Sequence, residues 1–135
     1  MSLLKSIQDG EGKTVEFKVE LPNSNTLAKT IIAFSNTGGG KLIIGVNDQG
    51  EIIGLEPDVN IFELKDKVAS IIYETCYPTV LPDIYTTTID DQLLLIIEVY
   101  RGNLLPYYLK NKGKNEGVYI RVGATNRKAS HENIL

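Results

Sequence analysis

Apolar and polar positions along this chain recur with two different periods, and the switches between them mark its elements. Leu3, Leu4 and Ile7 fall at helical spacing before Asp9-Gly10, which predicts a short helix or an irregular lead-in over residues 3 to 12. From Thr14 to Glu20 the period becomes two: Val15, Phe17 and Val19 share one face, and Glu16, Lys18 and Glu20 the other. That alternation predicts a half-buried strand with a charged outer face. Pro22, Asn23 and Ser24 break it, and Ser24 or Asn25 is placed to cap a helix whose Leu27, Ile31 and Phe34 stand at i, i+4 and i+7.

The helix runs into Gly38, Gly39 and Gly40, where residues tolerant of positive φ let the chain reverse. Leu42 to Val46 is apolar throughout, as expected of a central strand buried on both faces. Asn47 to Gly50 supplies turn chemistry, and Glu51 to Gly54 is expected to return as a short partner strand. Asn60 and Glu63 resemble a capping pair for a second helix, with Leu64, Val68, Ile71, Ile72 and Thr75 in one stripe. Pro78 and Pro82 mark a loop, after which Ile84–Ile89 and Leu93–Tyr100 read as strands joined at Asp90-Asp91. Tyr107–Leu109 and Val118–Val122 flank a basic segment, Lys110 to Gly117, expected to be a long hairpin loop. Ser130 is placed to cap another helix that the sequence leaves unfinished, so the chain reads as the N-terminal part of a longer protein. The summed pattern is α+β: two main helices on a mixed sheet of about six strands.

Composition narrows the function classes. The 135 residues, 42% hydrophobic and 23% charged, suit one globular domain. No apolar run approaches the roughly 18 residues of a membrane span, and the N-terminus lacks a secretory core, so a cytoplasmic location is expected. With one cysteine, Cys76, and one histidine, His131, a chain cannot form its own disulfide or a Cys/His zinc site, which leaves carboxylates as the metal ligands. Cys76 reads as a small packing residue and His131 as part of a helix start.

The net charge of −3 is unevenly spread. Residues 1 to 97 hold 7 Lys, no Arg and 14 acids, a net −7, whereas residues 98 to 135 hold 4 Lys, 3 Arg and 3 acids, a net +4. A surface for phosphates is therefore sought in the last third. Lys110, Lys112 and Lys114 can meet successive phosphates, and Arg121, Arg127 and Lys128 can fix the register on a backbone, with Lys18 and Lys41 as additions. Tyr107, Tyr108 and Tyr119 interleave with them and can stack on bases. Arg121, between apolar Ile120 and Val122, is expected to point away from the core, in an ion pair or a functional contact. Gly38-Gly39-Gly40-Lys41 is no Walker loop, because here the helix precedes and the strand follows.

Glu11-x4-Glu16-Phe17-Lys18, Ala33-Phe34-Ser35-Asn36-Thr37-x-Gly39-Gly40, Leu42-Ile43-Ile44-Gly45-Val46-x-Asp48-x-Gly50, Ile53-Gly54 and Tyr119-Ile120-Arg121-Val122-Gly123 occur in one order and spacing. Jointly they resemble the AlbA-like domain of the Schlafen type, formerly described as a divergent AAA domain, over about residues 11 to 134. The resemblance implies a nucleic-acid-binding module, DNA foremost, at the N-terminus of a bacterial transcriptional regulator, in a family whose domains often pair as homodimers. It also implies an alternative, because some Schlafen proteins cleave RNA at a three-carboxylate site whose pattern falls on Glu11, Glu16 and Asp48. Two or three carboxylates can hold Mg²⁺ or Mn²⁺ to activate water, and Lys18 could steady the scissile phosphate. Without that nuclease chemistry no cofactor is expected. A domain that only dimerises or receives a protein partner is the third reading.

Overall fold

The apolar run after the glycine corner lies at the centre of the molecule. In the computed structural model, which describes residues 2–129, it forms β2 (Gly40–Ile44), flanked by β1 (Val15–Lys18) in parallel and β5 (Gln92–Val99) antiparallel. With β4 (Asp83–Ile89) outside β5, the order is β1-β2-β5-β4. Alternate residues of β2 and β5 enter different cores, which is why both strands read as continuous apolar runs. Leu42, Ile44, Leu95, Ile97 and Val99 pack beneath α2 (Ser24–Asn36) and α3 (Ile61–Thr75). Ile43, Leu94 and Ile96 face the other way, toward Val15, Phe17 and Ile7 of α1 (Leu3–Asp9).

The remaining strands build two small ladders: β3 (Cys76–Tyr77) with β6 (Tyr108–Leu109), and β7 (Tyr119–Val122) with β8 (Thr125–Lys128). The α+β class and its mixed sheet are as expected, with eight strands divided among one four-stranded sheet and two ladders. The segment expected to be a hairpin loop holds one helical turn, α4 (Gly113–Glu116). Val118 bridges Tyr108 beside it, and the Tyr119–Val122 strand pairs with β8 across a turn at Gly123, a partner the sequence pattern did not reveal.

Local chemistry explains most boundaries. Asn23, one residue before the expected cap, accepts from Thr26 N–H at 2.9 Å, and Asn60 caps α3 as expected, accepting from Glu63 N–H. Asp90 and Asp91 both take positive φ, 52° and 62°, the backbone of a two-residue hairpin turn. β2 ends before Val46 because the N–H groups of Gly45 and Val46 both converge on Lys18 O, a bulge that redirects the chain. The expected Glu51–Gly54 strand is reduced to one bridge, Val46 to Ile52. Ser130 and His131 lie outside the described residues. Among the described residues, no helix is long and apolar enough to cross a membrane.

α2 is buried nearly all round, from Leu27 to Ser35 apart from Lys29, because β7 packs on the side that a two-layer reading leaves to solvent. At its end Asn36 fastens the last third of the chain. Its side chain donates to Tyr107 O and Tyr119 O, each at 2.9 Å, and accepts from Tyr107 N–H at 2.7 Å.

The three glycines of the corner are not equivalent. Gly39 has φ +79°, and a Cβ there would lie 2.6 Å from Val99 O, whereas a Cβ on Gly38 would meet nothing within 4 Å. Gly39→Ala should therefore cost about 2–4 kcal/mol from backbone strain and overpacking, and Gly38→Ala less than about 0.5 kcal/mol, as read from urea-unfolding midpoints.

Candidate functional site

Register determines where the charged face of β1 points. Glu16 pairs laterally with Leu42, and laterally paired residues share a sheet face, so Glu16 lies on the α2 side. There β7 covers it. Arg121 points inward, contrary to the sequence expectation, with its side chain fully buried. Its Nη2 lies 2.8 Å from Glu16 Oε1 and donates to Gly12 O and Val15 O; Nε donates to Gly12 O, and Nη1 to Asn126 Oδ1 at 2.8 Å. The guanidinium also lies over the Phe34 ring, 5.1 Å from its centroid. A planar fork of five donors suits this cluster of acceptors, so Arg121 anchors the β7–β8 hairpin and presents no charge to a ligand.

The carboxylates divide two and one. The Glu11 carboxyl adjoins that of Glu16, and Glu11 Oε2 accepts from Phe17 N–H at 2.9 Å. Burial and the adjoining Glu11 carboxyl hold Glu16 above its ordinary value of 4.5, against the lowering pull of Arg121. Asp48 is exposed in a turn whose Gly50 backs onto Ile7 and Phe17, on the sheet face opposite Glu16. Although β1 and β2 are neighbours, that turn does not bring Asp48 to the pair. Glu16 gives one oxygen to Arg121 and Glu11 one to a backbone N–H, which leaves one oxygen of each beyond these bonds. Among the described residues, no group of three His, Cys, Asp or Glu is placed to hold a metal ion. Lys18 Nζ stands 3.8 Å from Glu16 Oε2. Burial pushes the Cys76 thiol to about 11, in keeping with a packing residue.

Two basic residues, Lys128 and Lys29, meet at Tyr119. Lys128 is its cross-strand partner and reaches Glu116 of α4 in an ion pair that lowers the Glu116 carboxyl. Lys112 and Lys114 stand exposed at the start of α4 and within it. Lys29 of α2 lies over the Tyr119 ring, 5.1 Å from its centroid. Sequence reading missed Lys29, because a lysine at a polar position of an amphipathic helix looks like solvation alone. Arg127 is exposed on the next position of β8, its Nε donating to Thr125 Oγ1. Lys110 belongs to another neighbourhood, with Nζ donating to Tyr73 O at 3.0 Å. Lys41 faces the α1 side, in a cleft of about 210 Å³ shared with Gly38, Gly39, Gly40 and Glu98. Tyr107 is buried, and Tyr108 and Tyr119 are half-buried.

The Schlafen, AlbA_2 family profile matches residues 11–130. No curated protein matches the chain. Solved structures that share its fold include the following two. The DIP2311 protein from Corynebacterium diphtheriae is 24% identical with a TM-score of 0.61; the match covers 87% of this chain and 22% of that one. The N-terminal domain of a protein from Nitrosomonas europaea, named as related to the ATP-dependent DNA helicase RecG, is 23% identical with a TM-score of 0.65; the match covers 94% and 90%. The chain thus spans about a fifth of the first protein and nearly all of the second domain.

Arg121→Met should destabilise the fold by about 3–5 kcal/mol near neutral pH, since it strands a buried carboxylate and two carbonyls, as measured by urea unfolding. The raised value of Glu16 has a definite sign. Its contribution to stability is complete below 4.5 and is lost as pH climbs through the higher folded value. Glu11→Gln removes the like charge, so thermal unfolding of that variant should lose less stability than the parent between roughly pH 4 and pH 8.

Proposed function

The chain belongs to the Schlafen AlbA_2 family, and from that premise we propose that it binds nucleic acid, DNA foremost, as the N-terminal module of a bacterial transcriptional regulator working in the cytoplasm. The observation that carries the reading is the pair of cations at Tyr119, Lys29 over its ring and Lys128 as its cross-strand partner, with Lys112 and Lys114 exposed in the α4 segment whose Glu116 pairs with Lys128. Three of these four cations, Lys112, Lys114 and Lys128, come from the last third of the chain, which carries a net +4 against a net −7 in the first 97 residues. Phosphates are the matching partner, because each cation engaged releases a counterion from the nucleic-acid backbone. The name of the Nitrosomonas protein, with its reference to a DNA helicase, supports the same class of ligand.

Arg121 works at one remove, holding the hairpin that carries Arg127 and Lys128 against β1. A homodimer would double the patch, and the outer edge of β4, where the sheet ends, is open to a second copy. Among the described residues no third carboxylate joins the Glu11–Glu16 pair, which gives the nuclease alternative less support.

Fluorescence anisotropy with labelled DNA across a salt series tests the proposal. Replacing Lys29, Lys112 and Lys114 by Gln should flatten the slope of log affinity against log salt by about 0.7–0.9 for each phosphate that is no longer neutralised. An unchanged slope overturns the assignment of this surface. Labelled strands should remain intact with Mn²⁺ present.

A further inference from the structure

Three tyrosines and a lysine line the seam where α3 ends and β6 begins. The two-residue ladder of β3 and β6 sends Cys76 and Leu109 into the core, so the alternate pair, Tyr77 and Tyr108, is turned outward. Their rings lie 5.6 Å apart between centroids and 50° from parallel. Tyr73, in the last turn of α3, is 66% exposed, and Tyr77 is 50% exposed. Lys110 joins them, its backbone N–H donating to Thr75 O and its Nζ lying 5.3 Å from the Tyr73 ring centroid.

These rings have no structural duty for their hydroxyls. Tyr85 donates to Glu98, Tyr100 donates to Asp83, and Tyr107 accepts from Leu104 N–H, whereas Tyr73, Tyr77 and Tyr108 make no hydroxyl bond among the described residues. Exposed aromatic surface without such a role is the mark of a binding face. Directly after Lys110 the chain supplies Lys112 and Lys114, so the aromatic strip runs into the basic patch without a break in sequence.

We propose that Tyr73, Tyr77 and Tyr108 form a stacking platform for unpaired bases, and that Lys110, Lys112 and Lys114 follow the phosphates of the same strand. The inference rests on the nucleic-acid reading above and specifies its ligand as single-stranded, because the bases of a duplex stack on one another and hide their faces. Stacking tolerates any base, so the platform confers strand preference without sequence preference.

A strand without bases separates stacking from charge. Anisotropy titrations compare a labelled oligothymidylate, an abasic strand of the same length and charge, and a duplex. The oligothymidylate should bind roughly tenfold or more tightly than the abasic strand. Tyr77→Ala combined with Tyr108→Ala should bring it down to the abasic level and leave abasic binding unchanged, while Tyr77→Phe, which keeps the ring, retains the preference. Tyr73→Ala, at the most exposed of the three rings, should weaken oligothymidylate binding even if the double variant fails to fold. Because the chain has 7 Tyr and no Trp, binding should also quench tyrosine emission with the oligothymidylate and not with the abasic strand. Equal affinity for the two single strands overturns the platform while the wider reading survives. Failure of all three ligands to bind overturns both.

Discussion

Arg121 donates to the carbonyls of Gly12 and Val15, to Asn126 and to Glu16 from a position without solvent, and the rest of the molecule is arranged so that it can. A buried guanidinium is tolerable only where every donor finds an acceptor, and the edge of β1 provides a row of them. The ion also sits on the face of Phe34, whose ring occupies the space that a side chain on Gly40 would need. Glycine corner, aromatic ring, guanidinium and carboxylate therefore form one stack from the start of β2 to the edge of β1. Removing any layer exposes the next to a cavity or to an unpaired charge.

The stack gives each group in it a structural duty that its chemistry alone does not announce. Glu16 has the chemistry of a metal ligand or a base, but here one of its oxygens is held by Arg121, and its raised proton affinity reflects burial beside Glu11. The lysines face outward: Lys112 and Lys114 before and within α4, Lys128 on β8 in its pair with Glu116, and half-buried Lys29 on the margin of an otherwise buried helix. Division of labour between an inward arginine and outward lysines follows their side chains, one a rigid fork of weakly hydrated donors and the other a strongly hydrated point charge.

Much of the fold was legible in the sequence because its strongest signals are local. The apolar run of β2, the Asp90-Asp91 turn and the Asn60 cap need only a few neighbouring residues to specify them; the turn and the cap stand where the pattern put them, and β2 runs from Gly40 to Ile44, two residues before the expected Leu42–Val46. What the pattern hid was nonlocal. Thr125 to Lys128 has no apolar alternation, so β8 was unreadable without knowing that β7 lies across α2 with an edge to pair. The same ignorance sent Arg121 outward, since flanking Ile120 and Val122 suggest a core on their side of the strand, whereas Val122 is exposed. Asp48 matched a motif in spacing, yet a bulge at Gly45 and the packing of Gly50 decide which side of the sheet its turn occupies.

Asn36 bonds across 71 and 83 residues to Tyr107 and Tyr119, and Arg121 across 109 residues to Gly12. Closing such long loops costs entropy before any contact offsets it, whereas α2, β2 and the β4–β5 hairpin assemble from near neighbours. The last third of the chain is thus held in place by contacts of long sequence separation. The hairpin that carries Arg127 and Lys128 therefore takes its place against β1 only when Gly12 and Arg121 have met.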